Sequence, residues 1–212
     1  MFTGIVKGKG RLVALKDNVN FRTYTVQFPN ELLDCLETGT SVANNGCCLS
    51  VTNINGNMVN FDLIKETLRL TNLGSLKIGD MINLERSVKY GDEISGHIIS
   101  GHIIDTAEIA KIFKTENNLQ IFFYVNNKQL MKYILYKGFI GVDGISLTVG
   151  DVLNDSFCVH LIPETIARTT IAKKRLGEKV NIEIDSHTKA VVDSIERVMA
   201  QKYNKESVNR VS

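Results

Sequence analysis

The sequence predicts an all-β protein that contains two tandem β-barrels and ends in one α-helix. Three observations lead to this fold class: an internal duplication, short apolar runs separated by Gly and Asn turns, and a helical period near the end of the chain. The duplication is the clearest of them. The segment SVANNGCCLSVT (41–52) matches FIGVDGISLTVG (139–150) at an offset of 98 residues, and the match continues without a gap through GDMINLE and GEKVNIE.

The repeated unit has the length of a domain. About 98 residues is too long for a solenoid repeat and is typical of a small independent domain. We therefore expect a first barrel over residues 1–97, a second barrel over residues 98–186, and a C-terminal helix with a tail over residues 187–212.

Short alternating segments in each repeat predict about six strands, enough to close a small barrel. Residues 2–15 predict two strands separated by a turn at Gly8–Gly10. The other strands are predicted at 21–28, 41–51, 58–64 and 81–86 in the first repeat, and at 103–113, 119–125, 138–150, 157–161 and 179–184 in the second. Asn45-Gly46 and Asn55-Gly56 are hairpin signals. Short helices are predicted at 29–37, 66–73 and 127–135.

From residue 187 onward the apolar residues follow a helical period. One face carries Ala190, Val191, Ser194, Ile195, Val198 and Met199. Asp185 or Ser186 can cap the start of this helix. The first repeat has no equivalent helix, and two alternatives stay open: the stripe packs on its own barrel, or it meets copies of itself in an oligomer. Residues 207–212 are expected to form a frayed tail.

The composition excludes several function classes. Hydrophobic residues make up 43% of the chain, charged residues 23%, and the net charge is +2, so neither a nucleic-acid nor a membrane partner is expected. We find no signal-peptide pattern, and four cysteines without a C-x-x-C pair are typical of reduced thiols in a cytoplasmic protein. The motifs of metalloproteases, serine hydrolases and P-loop nucleotide sites are also missing, so no metal is expected.

The two repeats differ where chemistry would require it. The first copy has Cys47 and Cys48, which should point to opposite faces of a strand, and the second copy has Ile145 and Ser146. This pattern suggests two pockets that bind the same ligand and treat it differently. Both repeats carry a Glu-Thr pair, which suits a polyhydroxylated ligand chain, although such a pair can also simply begin a helix.

Two histidines near the junction of the repeats are of interest. His102 is a candidate for proton transfer near neutral pH. At the offset of 98 it falls on Gly4. His97 is interpreted as part of the linker.

Six blocks of the chain resemble riboflavin synthases of the alpha-chain type. The blocks are MFTGIV, GTSVANNGCCLSVT, FDLIKETLRLTNLG, SGHIISGHI, MKYILYKGFIGVDGISLTV and FCVHLIPETIARTT. The resemblance covers residues 1–199 and implies two six-stranded Greek-key barrels with a C-terminal helix. It also implies a homotrimer, with each active site between the first barrel of one subunit and the second barrel of its neighbour.

The resemblance implies a specific reaction. Two molecules of 6,7-dimethyl-8-ribityllumazine exchange a four-carbon unit, and the products are riboflavin and 5-amino-6-ribitylaminouracil. Neither a metal nor an organic cofactor takes part. Lumazine synthase is a candidate partner, and the expected location is the cytoplasm.

The resemblance also implies site residues. Those for one lumazine are Gly4, Ile5, Val6, Cys48, Leu49, Ser50, Asp62, Leu63, Ile64, Lys65, Glu66 and Thr67. Those for the other are Gly101, His102, Ile103, Lys137, Ser146, Leu147, Thr148, Ile162, Pro163, Glu164, Thr165, Ile166 and Ala167. The catalytic candidates are His102 as proton relay, and Cys48, Ser41 and Asp185 as polar or nucleophilic groups.

Two other functions are compatible with barrels of this kind. A non-catalytic antenna protein would bind lumazine or flavin without turning it over. The presence of both Glu-Thr pairs together with Ser41, Cys48 and His102 favours the enzyme. A flavin-dependent reductase would need a nicotinamide-binding domain where the second repeat stands.

Overall fold

The computed structural model describes residues 1–115 and 118–208, and these form two closed antiparallel β-barrels followed by a long helix. The first barrel contains β1 (Gly8–Asp17), β2 (Phe21–Gln27), β3 (Ser41–Asn44), β4 (Cys47–Asn55), β5 (Met58–Ile64), helix α1 (Lys65–Leu70) and β6 (Met81–Arg86). The second contains β7 (Asp105–Lys114), β8 (Leu119–Val125), β9 (Phe139–Val142), β10 (Ile145–Val152), β11 (Ser156–Leu161), helix α2 (Pro163–Arg168) and β12 (Lys179–Ile184). Helix α3 (Ser186–Val208) ends the described chain. The predicted fold class is confirmed.

Both barrels have the same topology. Around the first barrel the order is β1-β2-β5-β4-β3-β6, and around the second it is β7-β8-β11-β10-β9-β12. The pairing of β6 with β3 closes a Greek key, because β3, β4 and β5 are consecutive paired strands and β6 returns beside β3. Alternate side chains of each strand fill a separate apolar core, with Phe61 in the first and Phe157 in the second, both fully buried.

The predicted turn at Gly8–Gly10 is wrong, because β1 runs through it without a break. The glycines are needed for packing instead. A Cβ on Gly10 would lie 2.5 Å from a methyl carbon of Val26, and a Cβ on Gly8 would lie 2.9 Å from the ring of Pro29. Glycine inside a strand often marks such a close approach of another side chain.

The short helices are smaller than predicted. The segment after Pro29 forms only a 3₁₀ turn over Asn30–Leu32, and the segment predicted at 127–135 is a 3₁₀ helix over Lys128–Tyr133. Helix α1 ends at Leu70 and is followed by a 3₁₀ turn. Strand boundaries also differ from the prediction: β7 begins at Asp105 rather than at residue 103, β4 ends at Asn55 rather than at residue 51, and β10 ends at Val152 rather than at residue 150.

The number of residues that separates structurally equivalent positions of the two barrels is not constant along the chain. Leu12 pairs with Val26 as Ile109 pairs with Phe123, so equivalent positions here differ by 97, since 109 − 12 = 97. The later segments differ by 98, as the sequence match indicates. His102 is therefore equivalent to Ile5, and the predicted match of His102 with Gly4 is wrong. Gly4 corresponds to Gly101, and both glycines have positive φ.

The two barrels meet through a buried polar network with approximate twofold symmetry. Asn83 accepts from the backbone N–H of Thr170 (2.8 Å) and donates to the carbonyl of Asp143 (3.0 Å). Asn181 makes the equivalent pair of bonds, accepting from the N–H of Asn72 (2.7 Å) and donating to the carbonyl of Asn45 (2.8 Å). Each asparagine thus joins its own barrel to the other at two points.

The hairpin turns at Asn45-Gly46 and Asp143-Gly144 lie head to head at the centre of this network. All four residues have positive φ, as expected for two-residue hairpins of this kind. A Cβ on Gly46 would lie 2.6 Å from the backbone nitrogen of Gly144. Only glycine permits this approach of the two barrels.

One pair of charges breaks the symmetry of the interface. Asp143 has no exposed surface and takes the place of Asn45, and Lys174, whose Nζ lies 3.4 Å from the carboxylate, takes the place of Leu76. Burial raises the pKa of Asp143, and the nearby Lys174 ammonium opposes that shift. The second repeat alone thus carries an ion pair at the pseudo-twofold axis.

Helix α3 begins as predicted. Asp185 caps it, since its carboxylate accepts from the backbone N–H of Thr188 at 2.8 Å and from its hydroxyl at 2.7 Å. The apolar residues Val191, Ile195, Val198 and Met199 are at least half exposed, so the stripe does not pack on its own barrel. Helix α3 extends to Val208, so the first two residues of the tail predicted at 207–212 are helical, and the rest of that prediction lies outside the described residues. Among the described helices, none is both long and apolar enough to cross a bilayer.

Candidate active site

The paired cysteines on β4 have different surroundings, as the strand alternation predicts. Cys47 points into the first barrel, and burial raises the pKa of its thiol to about 12. Such a thiol remains protonated and packs as a small apolar group. Cys48 is only partly buried and lies on the outer face of the barrel. Cys48 is therefore the thiol that can face a bound molecule.

The short segments that precede each barrel pack on the opposite barrel. The carbonyl of Gly101 accepts from the N–H of Cys48 at 2.9 Å, and the carbonyl of Gly4 accepts from the N–H of Ser146 at 2.8 Å. Val6 lies in the core of the second barrel, and Ile103 packs against the core of the first. The prediction grouped residues 4–6 with Cys48 and residues 101–103 with Ser146. The structure exchanges the partners, so that residues 4–6 lie against Ser146 and residues 101–103 lie against Cys48.

His102 lies beside the Cys48 strand because of this crossing. Its ring is exposed, and its backbone N–H donates to the hydroxyl of Ser100 at 3.2 Å. The adjacent Gly101 holds the main chain against Cys48, since a Cβ on Gly101 would lie 2.5 Å from the Cβ of Cys48. Ser41 lies on the neighbouring strand β3, opposite Ser50. Three of the four catalytic candidates are thus near the outer face of β3 and β4.

The fourth catalytic candidate, Asp185, belongs to a second group of residues on the other barrel. Burial opposes ionisation of this carboxyl, but hydrogen bonds from Thr188 and from the backbone of His187 outweigh it and lower its pKa. A smaller electrostatic contribution comes from His97. Asp185 is therefore ionised near neutral pH and is the anion of the group around His97.

His97 lies beside Ser146, one of the candidate site residues, and was not itself predicted as a site residue. It is 7% exposed, its ring stacks on Phe139 with centroids 5.0 Å apart, and its Nδ1 lies 2.6 Å from the hydroxyl of Ser146. The sequence GHIISGHI contains the motif GHI twice, with His97 in the first copy and His102 in the second. This repetition was the signal that His97 could belong to the site as His102 does. His97 does lie in the segment that connects β6 to β7, as predicted, but the burial of its side chain was not predicted.

Lys137 has a backbone conformation that residues other than glycine rarely adopt. Its φ is +62°, whereas the equivalent residue of the first repeat is Gly39, with φ +88°. The N–H of each residue donates to an equivalent strand carbonyl, of Val51 or Val149. At this positive φ a lysine has a steric strain energy that glycine avoids. Strain of this kind is found most often at functional sites. The exposed ammonium lies 5.2 Å from the ring centroid of Tyr136.

The two Glu-Thr pairs lie in the first turns of α1 and α2, at the rims of the barrels. Glu66 forms a two-point ion pair with Arg69, at 2.9 and 2.6 Å, and Glu164 forms a single-contact ion pair with Arg168 through Nε. Neither glutamate caps its helix with a side-chain hydrogen bond. Both carboxylates remain exposed, and each lies against an arginine of its own helix.

The remaining predicted binding residues divide into two groups. Four have buried side chains, so only their backbone could face a ligand: Val6, Leu49, Leu63 and Leu147. The others at the rims are partly or fully exposed: Ile5, Ser50, Asp62, Ile64, Lys65, Thr67, Thr148, Ile162, Pro163, Thr165, Ile166 and Ala167. Asp62 accepts from the hydroxyl of Thr23 at 2.6 Å, which orients its carboxylate on the outer face of β5.

Replacing His97 with asparagine should flatten the pH dependence of stability. Burial lowers the pKa of His97 below its usual 6.5, so below about pH 6.5 the unfolded chain binds a proton that the folded chain does not. The parent should therefore lose unfolding free energy relative to His97→Asn as pH falls from about 7.5 to about 5.5, by up to about 1.4 kcal/mol per pH unit. Urea denaturation at several pH values measures the difference.

Buried acidic groups do not alter the difference in unfolding free energy between the parent and His97→Asn. Burial raises the pKa of Glu85, Asp143 and Glu183, which adds stability as pH falls, but all three occur in both proteins and cancel in the difference. Parallel pH curves for the two proteins would show that His97 titrates as it does in the unfolded chain, and would contradict the burial argument.

Comparisons with known proteins agree with this geometry. The family model for the lumazine binding domain matches twice, at residues 3–87 and 100–185, so each match covers one barrel. The chain is 65% identical to riboflavin synthase of Escherichia coli (strain K12) over 96% of both chains. It is 44% identical to riboflavin synthase of Chlamydia pneumoniae over 94% of this chain and 98% of that one.

The fold also occurs in a solved complex. The crystal structure of LumP complexed with 6,7-dimethyl-8-(1'-D-ribityl)lumazine has a TM-score of 0.80 against this chain at 26% identity. It covers 88% of this chain and 100% of the LumP chain. Two barrels of this architecture therefore occur in a protein that binds a ribityllumazine.

Proposed function

Because the chain belongs to the riboflavin synthase family, we propose that it converts two molecules of 6,7-dimethyl-8-ribityllumazine into riboflavin and 5-amino-6-ribitylaminouracil. One lumazine donates four ring carbons, and the other accepts them. The atoms of two substrate molecules equal those of the two products, so the reaction needs neither an oxidant nor a further carbon source.

The observation that carries this proposal is the unequal chemistry of two equivalent sites. Both barrels match the lumazine-binding model, and both keep the Glu-Thr pair and the strand that would read the ring. Equivalent positions nevertheless differ: Cys48 against Ser146, Ser41 against Phe139, and Ile5 against His102. A dismutation requires this combination, because one substrate must be bound twice and must play two roles.

The barrels contribute to the rate in the first place by placing two rings together. Holding two reactants in the correct geometry can remove about 7–11 kcal/mol from a barrier. The chemistry then needs a proton relay and a nucleophilic or polar group. We assign the relay to His102, whose ring is exposed beside Cys48, and we assign supporting roles to Cys48, Ser41 and Asp185.

We propose further that the active site is completed by a second copy of the chain in a homotrimer. The catalytic candidates are divided between two groups in one chain, with Cys48 and His102 in one and Asp185 in the other. The exposed stripe of α3, with Val191, Ile195 and Val198, offers an apolar surface for self-association. A cytoplasmic location and association with lumazine synthase remain predictions from the sequence.

The reaction is tested with the purified protein and 6,7-dimethyl-8-ribityllumazine as the only substrate, with EDTA present. We expect riboflavin absorbance to appear, with one riboflavin formed for every two lumazines consumed. Binding of lumazine with a change in its fluorescence, but without riboflavin, would identify an antenna protein and contradict the proposed reaction. Loss of activity on addition of EDTA would contradict the metal-independent mechanism.

A further inference from the structure

Two buried glutamates hold the segments that cross between the barrels. Glu85 of β6 is 4% exposed and Glu183 of β12 is 6% exposed. The Oε1 of Glu85 accepts from the N–H and the hydroxyl of Thr3, at 2.7 and 2.8 Å, and its Oε2 accepts from the N–H of Gly4 at 3.0 Å. Each carboxylate oxygen is thus used by a main-chain N–H.

Glu183 makes the same set of bonds in the second barrel. Its Oε1 accepts from the N–H and the hydroxyl of Ser100, both at 2.7 Å, and its Oε2 accepts from the N–H of Gly101 at 3.0 Å. A carboxylate can accept all of these bonds at once, whereas a glutamine has only one acceptor oxygen and would turn an NH₂ group toward an N–H donor. The requirement for a charged side chain is therefore chemical and not only steric.

The glycines held in this way contact the opposite barrel. Glu85 belongs to the first barrel, yet the carbonyl of Gly4 accepts from Ser146 of the second. Glu183 belongs to the second barrel, yet the carbonyl of Gly101 accepts from Cys48 of the first. The approach is tight, since a Cβ on Gly4 would lie 2.6 Å from the Cβ of Ser146. A movement of either glycine must therefore displace the strand it contacts.

We propose that Glu85 and Glu183 are positioning residues for the reaction, and that each one fixes the substrate-facing strand of the opposite barrel. This inference rests on the proposed function, because it assigns the strands around Cys48 and Ser146 to the two lumazine sites. The proposed role predicts that a change in one barrel disturbs the site on the other barrel, which packing within one barrel would not produce. A change at Glu183 disturbs the first-barrel site, and a change at Glu85 disturbs the second-barrel site.

The test compares Glu85→Gln, Glu183→Gln and the control Glu37→Gln, in which an exposed glutamate is changed. Hydrogen exchange at the Cys48 and Ser146 amides is the main measurement. Glu183→Gln should accelerate exchange at Cys48 about tenfold or more and leave Ser146 near the parent rate. Glu85→Gln should do the reverse, and Glu37→Gln should change neither amide.

A second pair of variants tests the inference if the glutamines prevent folding. Thr3→Val removes the hydroxyl donor to Glu85, and Ser100→Ala removes the hydroxyl donor to Glu183 together with the acceptor for the His102 N–H. Both variants should give the same crossed pattern with a smaller amplitude. Equal acceleration at both amides, or acceleration only within the barrel that carries the change, would overturn the inference.

Kinetics distinguish positioning from a general loss of stability. Both glutamine variants should lower kcat/KM for the lumazine about tenfold or more while exchange at core amides such as those of Val26 and Phe123 stays at the parent rate. Unchanged kcat/KM together with crossed exchange would overturn the positioning role. If the parent forms no riboflavin, the proposed function fails, and the crossed exchange pattern still tests the structural link separately.

Discussion

The Asn181→Ala variant is expected to lose about 2–6 kcal/mol of unfolding free energy, because the change leaves two buried backbone groups without partners. These groups are the N–H of Asn72 and the carbonyl of Asn45, both on the opposite barrel. Each unsatisfied buried group costs about 1–3 kcal/mol, and both groups belong to residues that are at most 4% exposed, Asn45 and Asn72. Urea denaturation of the full chain measures the loss.

The pseudo-twofold arrangement supplies a matched pair for this experiment. Asn83→Ala breaks the equivalent bonds to Thr170 and Asp143 and should cost a similar amount. Asn53→Ala, at an exposed position of β4, should stay within about 0.5 kcal/mol of the parent. A loss at Asn181 no larger than that at Asn53 would show that the interface accepts water readily, and would contradict the stabilising role of the network.

His102→Ala is expected to lower kcat about 10²–10⁴-fold while lumazine binding changes much less. The ring is exposed within one chain, so its removal leaves no cavity, and the loss reflects chemistry rather than folding. Titration of lumazine fluorescence measures binding, and riboflavin formation measures turnover. His187→Ala, which changes another exposed histidine on α3, is the control and should retain parent activity.

Cys48→Ala should also slow turnover more than it weakens binding, since the thiol lies beside the same segment. Parent-like kinetics for either His102→Ala or Cys48→Ala would remove that residue from the catalytic group. Because Cys47 is in the core and its thiol stays protonated, Cys47→Ala should instead affect stability, as buried large-to-small changes do.

The barrels could be predicted from the sequence because their signals are local and occur twice. Alternation, the Asn45-Gly46 turn and the helical stripe of α3 each depend on neighbouring residues, and the duplication reports every strand a second time. The outward Cys48 and the inward Cys47 follow from the same alternation. The error at Gly8–Gly10 arose because a glycine required by a distant side chain resembles a glycine required by a turn.

The relation between the barrels could not be predicted, because it depends on contacts across the whole chain. Asn83 and Asn181 occupy ordinary strand positions, and no neighbouring residue indicates which distant residues they bond to. Asp143, for example, lies 60 residues from Asn83 in the sequence. The crossing of residues 4–6 and 101–103 has the same origin, as does the burial of His97 against Ser146. These contacts decide which predicted site residues stand together.

The ion pair at the pseudo-twofold axis also carries a record of descent. If both halves arose from one ancestral sequence, two substitutions now separate Asn45 from Asp143 and Leu76 from Lys174. An aspartate acquired first would have buried an uncompensated charge, a change that costs several kcal/mol. A lysine acquired first could have kept its ammonium in water. From an ancestral pair of Asn and Leu, the route with the lysine first is therefore the permissive one, and the aspartate is the substitution that depends on its predecessor.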